Sequence, residues 1–144
     1  MPTASLREQI LARISAALSA AAPGGATVYR SREVSITRNI TPAVVIMPRN
    51  GTSTRLAAQV DRHELEVDVE IFVRGDPWDQ LADPVDVAAH AVLVSDAQLA
   101  DLSAQIRRIG EDFSSQEADR TAGTLTARYL VTWNSHAADL TRRP

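Results

Sequence analysis

Residues 63 to 74 read HELEVDVEIFVR, and this stretch constrains the fold more than any other. Glu64, Glu66, Asp68 and Glu70 occupy alternate positions, with Leu65, Val67, Val69, Ile71 and Val73 interleaved. A period of two is the signature of a β-strand with one apolar face and one polar face. The apolar face needs a covering layer. The other face carries a ladder of like charge, and neighbouring carboxylates about 7 Å apart repel by about 0.6 kcal/mol in water, which a fold tolerates. Arginines on adjacent strands would relieve it, and Arg128, Arg30 and Arg32 are the candidates. The ladder therefore predicts a sheet with helices on one side only.

The covering helices are visible on either side. In ASLREQILARISAALSAAAPGG, residues Leu6, Ile10, Ile14, Ala17, Leu18 and Ala21 recur at helical spacing. Ser5 or Thr3 caps the start, Glu8 completes a capping box with Ser5, and Pro23-Gly24-Gly25 ends the helix. A second helix is predicted over roughly 83–95, with Asp83 as cap, Pro84 in its first turn, and Val87, Ala91 and Val94 facing inward.

The remaining segments read as strands and links. TVYRSREVSI is an early strand. Ala43 to Met47 is a short apolar strand fenced by Pro42 and Pro48, its unbroken run suited to burial on both faces. Residues 49–62 are polar and loop-like, with Asn50-Gly51 as a turn signal, and form a long hairpin connection into the acidic strand. Gly75, Asp76 and Pro77 stop that strand. A short strand is expected around Ile106 to Ile109, then a polar link (EDFSSQEADRTAG), then a strand over 124–133 and a fraying tail. The order helix, three strands, helix, two strands predicts an α+β fold: two helices on one face of a mostly antiparallel, mixed sheet of about five strands. At 144 residues the chain is the size of one domain, 1–144, with an ordered core over 5–140.

Several functions are disfavoured. There is no cysteine, hence no thiol nucleophile or zinc–thiolate site. Net charge is −3, unlike the basic balance of dedicated nucleic-acid binders. No signal peptide or membrane span is read, because charged residues interrupt every apolar run. No phosphate-binding loop or nucleophile elbow is found. His63, His90 and His136 share no ligand spacing; His90, with Asp86 one turn before it, reads as a solvated or capped histidine. No catalytic, cofactor or metal residues are assigned. A metal-dependent hydrolase built on the acidic strand is the enzymatic alternative, but such sites draw their groups from several elements. Trp78, after Asp76-Pro77, reads as a cap over the sheet edge or as an interface anchor, and Trp133 has the same two readings.

IRRIGEDFSSQEADRTAGTLTARYLVTWNSHAADL resembles the C-terminal half of tailed-phage tail terminator proteins, the minor tail protein U family. The shared pattern is a polar, acid-rich link (Gln116 to Asp119), a final strand ending at Trp133, and an exit over Ser135 to Leu140. LREQILARISAAL, VYRSREVSI, PAVVIMPRN and VSDAQLADLSAQI follow in the family's order, so the resemblance covers roughly residues 5 to 140. It departs at Ala100-Asp101, where the family pattern has a glycine-rich turn. The resemblance implies a non-enzymatic structural protein of a phage or prophage, assembled in the host cytoplasm and resident in the virion tail. It implies a hexameric homo-oligomeric ring that caps the tail tube, halts its polymerisation and meets the head–tail connector protein, with the major tail tube protein as the other partner. DNA passes through without specific binding, and no membrane is involved. On that reading Glu64, Glu66, Asp68 and Glu70 face the channel or a basic patch on a neighbour, and residues 49–62 order on the tube. A neck or head–tail joining (completion) protein of similar fold is the alternative.

Overall fold

The computed structural model describes residues 3–31, 41–102, 105–116 and 119–144. The fold is α+β. Helix α1 spans Leu6–Ala21, a 3-10 turn covers Pro23–Gly25, β1 is Thr27–Arg30, β2 Ala43–Ala57 and β3 Val60–Arg74. Helices α2 (Trp78–Ser95) and α3 (Ala97–Leu102) precede β4 (Gln105–Gln116) and β5 (Asp119–His136). The sheet order is β1-β2-β3-β5-β4. Only β1 and β2 run parallel; the other pairings are antiparallel.

The alternation in 63–74 places β3 at the centre. Leu65, Val67, Val69, Ile71 and Val73 are buried under the helices with Leu125, Ala127, Tyr129, Val131 and Trp133 of β5. Helix α1 buries Leu6, Ile10, Leu11, Ile14, Ala17 and Leu18, and Ser5 caps it by accepting from the Glu8 amide at 3.1 Å. Two bidentate ion pairs tie its polar side into the fold: Arg30 to Glu8, and Arg13 to Asp96, the residue between α2 and α3. The short run Ala43–Ile46 is buried on both faces, as its composition demands.

Five expectations need correction. Helix α2 begins at Trp78, five residues before the predicted cap, so Asp83 and Pro84 lie inside it. Its buried residues are Ala82, Val85, Ala89 and Leu93, while Ala91 is exposed and Val87 and Val94 are 62% and 55% exposed. Both sets recur at helical spacing, and the one that packs on the sheet and α1 is Ala82, Val85, Ala89 and Leu93, which leaves the valines outward. Strand β2 is not stopped by Pro48. It runs on to Ala57 through a register shift between Pro48 and Gly51, and β1 pairs only as far as Ile46, so the proline removes no ladder donor from β1. Residues 49–62 are thus the arms of a long hairpin rather than a loop, and 49–57 are exposed throughout. The link after β4 is likewise strand as far as Gln116, and again from Asp119; its middle lies outside the described residues. The tail does not fray: the Leu6 amide donates to the Leu140 carbonyl, His136 to Arg142, and Ala137 to Gln59. Ala100-Asp101 is helical, within α3. The early strand is seen as Thr27–Arg30; its remainder, with Arg32, lies outside the described residues.

Candidate functional site

The face of the sheet away from the helices carries the acidic ladder, and register decides what it meets. Asp68 stands opposite Met47 on one side and Arg128 on the other. The Arg128 guanidinium donates to Asp68 at 3.0 Å, and Arg49 donates to the other Asp68 oxygen at 2.9 Å. Arg49 also reaches Glu70 at 2.9 Å. The Asp68 side chain is only 3% exposed, enclosed by its two arginines. Burial raises the Glu70 carboxyl above its ordinary range, and Arg49 acts against that. Arg128 extends the network to Asp112 on β4, at 3.7 Å.

The four acids therefore divide. Asp68 and Glu70 are bound into a cross-strand network. Glu64 and Glu66, opposite Thr132 and Leu130, make no ion pair among the described residues. Of the expected cations, Arg128 pairs as its register requires, and Arg30 turns to Glu8 on the helix side. Arg49 was missed. It follows Pro48 at the register shift, so counting from the apolar run gives no indication of its face.

Trp78 is the first residue of α2 and packs over the sheet. Its indole lies so close to Gly123 that any side chain there would collide with it, and its ring centroid is 6.4 Å from that of Phe113. In the single chain Trp78 thus packs over the sheet, part-buried against the core. Trp133 is buried and stacks on His63 at 5.3 Å. His63 bonds Ser53 through Nδ1 and Ser135 through Nε2, both at 2.8 Å. The Ser135 hydroxyl donates to the His136 carbonyl, so it accepts from Nε2–H, and Nδ1 accepts from Ser53. Burial lowers the His63 pKa and keeps the ring neutral. A cleft of about 310 Å³ adjoins it, bordered by Arg7, Ser53, Glu64 and Trp133. A serine donating to a histidine suggests a nucleophile and its base, but the carboxylate that would orient the imidazole is replaced by the Ser135 hydroxyl. His90 is part-buried and held: its Nδ1 lies 3.0 Å from the Tyr129 hydroxyl, whose pKa burial pushes up to about 12. Arg108 and Asp86 pair beside them at 2.7 Å.

Among the described residues no three His, Asp or Glu side chains are grouped as metal ligands, and no helix is long and apolar enough to cross a membrane. No protein-family model matches the sequence, and no curated protein matches it.

Proposed function

We propose that this chain is a subunit of a ring that caps the tail tube of a phage or prophage particle, ends tube growth and offers a surface to the head–tail connector. The resemblance over residues 5 to 140 motivates the reading, and the β2–β3 hairpin arm is the observation that carries it. Residues 49–57 of β2 are exposed along their whole length and paired only with β3 among the described residues. An arm of this kind, with edge amides that have no strand partner among the described residues, is suited to contact with another chain. Its outward cations, Arg49 and Arg55, are 44% and 60% exposed while bound to Asp68 and Asp61. The tube-contacting segment is then a preformed hairpin, not a loop that orders on arrival.

On this reading Glu64 and Glu66 are the part of the ladder left to repel phosphate or to meet a basic neighbour, while Asp68 and Glu70 are structural. The test is to mix the protein with polymerising major tail protein from the same genome and measure tube lengths by negative-stain electron microscopy. Capped tubes of arrested length are expected, with an Arg55→Glu variant in the arm capping less well. Tubes that grow unchanged would sink the proposal. Binding to the head connector alone would put the neck reading in its place.

A further inference from the structure

Strand β4 is an edge strand of twelve residues with no partner on its outer side among the described residues. Long open edges of this kind are rarely left bare. Its sequence contains an antiparallel self-match. Counted outward from the midpoint between Ile109 and Gly110, Arg108 meets Glu111, Arg107 meets Asp112, and Ile106 meets Phe113. Basic residues fall on one half and acidic residues on the other, with an apolar residue closing each end.

In a regular strand the members of each such pair would point to opposite faces, because their separations are odd. Here the register shift between Arg108 and Gly110 inserts one extra residue. Arg108 and Glu111 stand opposite Tyr129 and Ala127, both on the helix side, where Arg108 already holds Asp86 at 2.7 Å and Glu111 of its own strand at 3.4 Å. Arg107 and Asp112 stand opposite Leu130 and Thr126, both on the open side. Ile106 and Phe113 stand opposite Val131 and Leu125, again on the helix side. The irregularity thus brings every pair onto a common face.

We infer that β4 pairs antiparallel with β4 of a second copy across a twofold axis normal to the sheet, giving one continuous ten-stranded sheet with all helices on the same side. A twofold interface requires one patch to complement itself, and this strand does so in face and, through Arg107 and Asp112, in charge. Phe113, 62% exposed in the single chain, gains Ile106 of the other copy as a neighbour. Asp112 is 73% exposed and only 3.7 Å-paired to Arg128, so it is free to turn toward Arg107. At the axis, a side chain on Gly110 would meet nothing within 4 Å, leaving space for Ile109 of the partner copy. This contact is independent of the tail reading.

The test is sedimentation of the full chain over a wide concentration range. Dimer mass is expected for the wild type, against 15.6 kDa for one chain. Asp112→Arg and Arg107→Asp should each weaken association about tenfold or more by opposing like charges, and the double variant should recover most of it. Hydrogen exchange on the wild type supplies a check that needs no variant: β4 amides should be more protected in concentrated than in dilute solution. A wild type that stays monomeric, a dimer indifferent to either single reversal, or a double variant no better than the singles would overturn the inference. If Asp112→Arg is monomeric yet still caps tubes, the pairing stands as a separate contact.

Discussion

At the scale of the residue, the acidic ladder is two features that look like one in sequence. Asp68 holds two guanidinium groups on a central strand, and removing its charge leaves Arg49 and Arg128 to share one neutral acceptor beside their other contacts, Glu70 and Asp112. Asp68→Asn is expected to cost about 2 kcal/mol, since hydrogen bonds to charged groups are worth that much and both arginines can still reach water. Glu64→Gln with Glu66→Gln should stay within about 0.5 kcal/mol, since both are half-buried and make no ion pair among the described residues. Urea unfolding of the two variants decides it; equal effects would mean the division is wrong. His63 gives a pH signature. Its folded pKa lies below the ordinary 6.5, so between those values the unfolded chain binds more protons. Stability from this group is fully present above about pH 6.5 and declines as pH falls through the window. His63→Gln should flatten that part of a melting-temperature profile. The period-two pattern made the position and outward face of the four acids legible. It could not show that two are neutralised, because Arg49 reaches them from a strand irregularity, and cross-strand register is absent from any local pattern.

At the scale of the element, the long periodic segments were readable and the punctuation misled. The first helix, with its Ser5 cap, and the alternating strands 63–74 and 124–133 follow from patterns that burial on one face enforces. Helix α2 was misplaced because Asp83-Pro84 imitates a cap and first turn, whereas Trp78 starts the helix by packing on Gly123 from across the sheet. That contact is tertiary, and no window of neighbouring residues contains it. The rotated face yields a sharp expectation: Leu93→Ala should cost about 3 kcal/mol by opening a core cavity, whereas Val94→Ala should be nearly silent. Thermal unfolding of the pair would expose an error if the ranking reversed. Pro48 and the polar 49–62 segment misled for a related reason. They read as turn and loop because no apolar face is needed in an arm whose residues 49–57 are exposed along their whole length.

At the scale of the whole molecule, one side of the sheet is sealed by helices, and the described edges are open along the β2 arm and β4. A ring closes through contacts between different patches, whereas the β4 match is between like patches, so the two contacts can be switched off separately. Asp112→Arg should alter mass in solution and leave tube capping intact, while Arg55→Glu should do the converse; electron microscopy and sedimentation of the same two variants separate them. The backbone bond between Leu6 and Leu140 brings the start of α1 and the end of the chain to one corner, and Ala137 is bonded to Gln59 at the turn of the β2–β3 hairpin. A bulky probe attached beside Leu6 or beside Leu140 would therefore shadow the same corner, next to the β2–β3 hairpin, and moving it from one place to the other would give no relief. Bulky labels at these two places are accordingly steric probes of the arm, and a small label in the outer edge of β4 is the placement that leaves it uncovered.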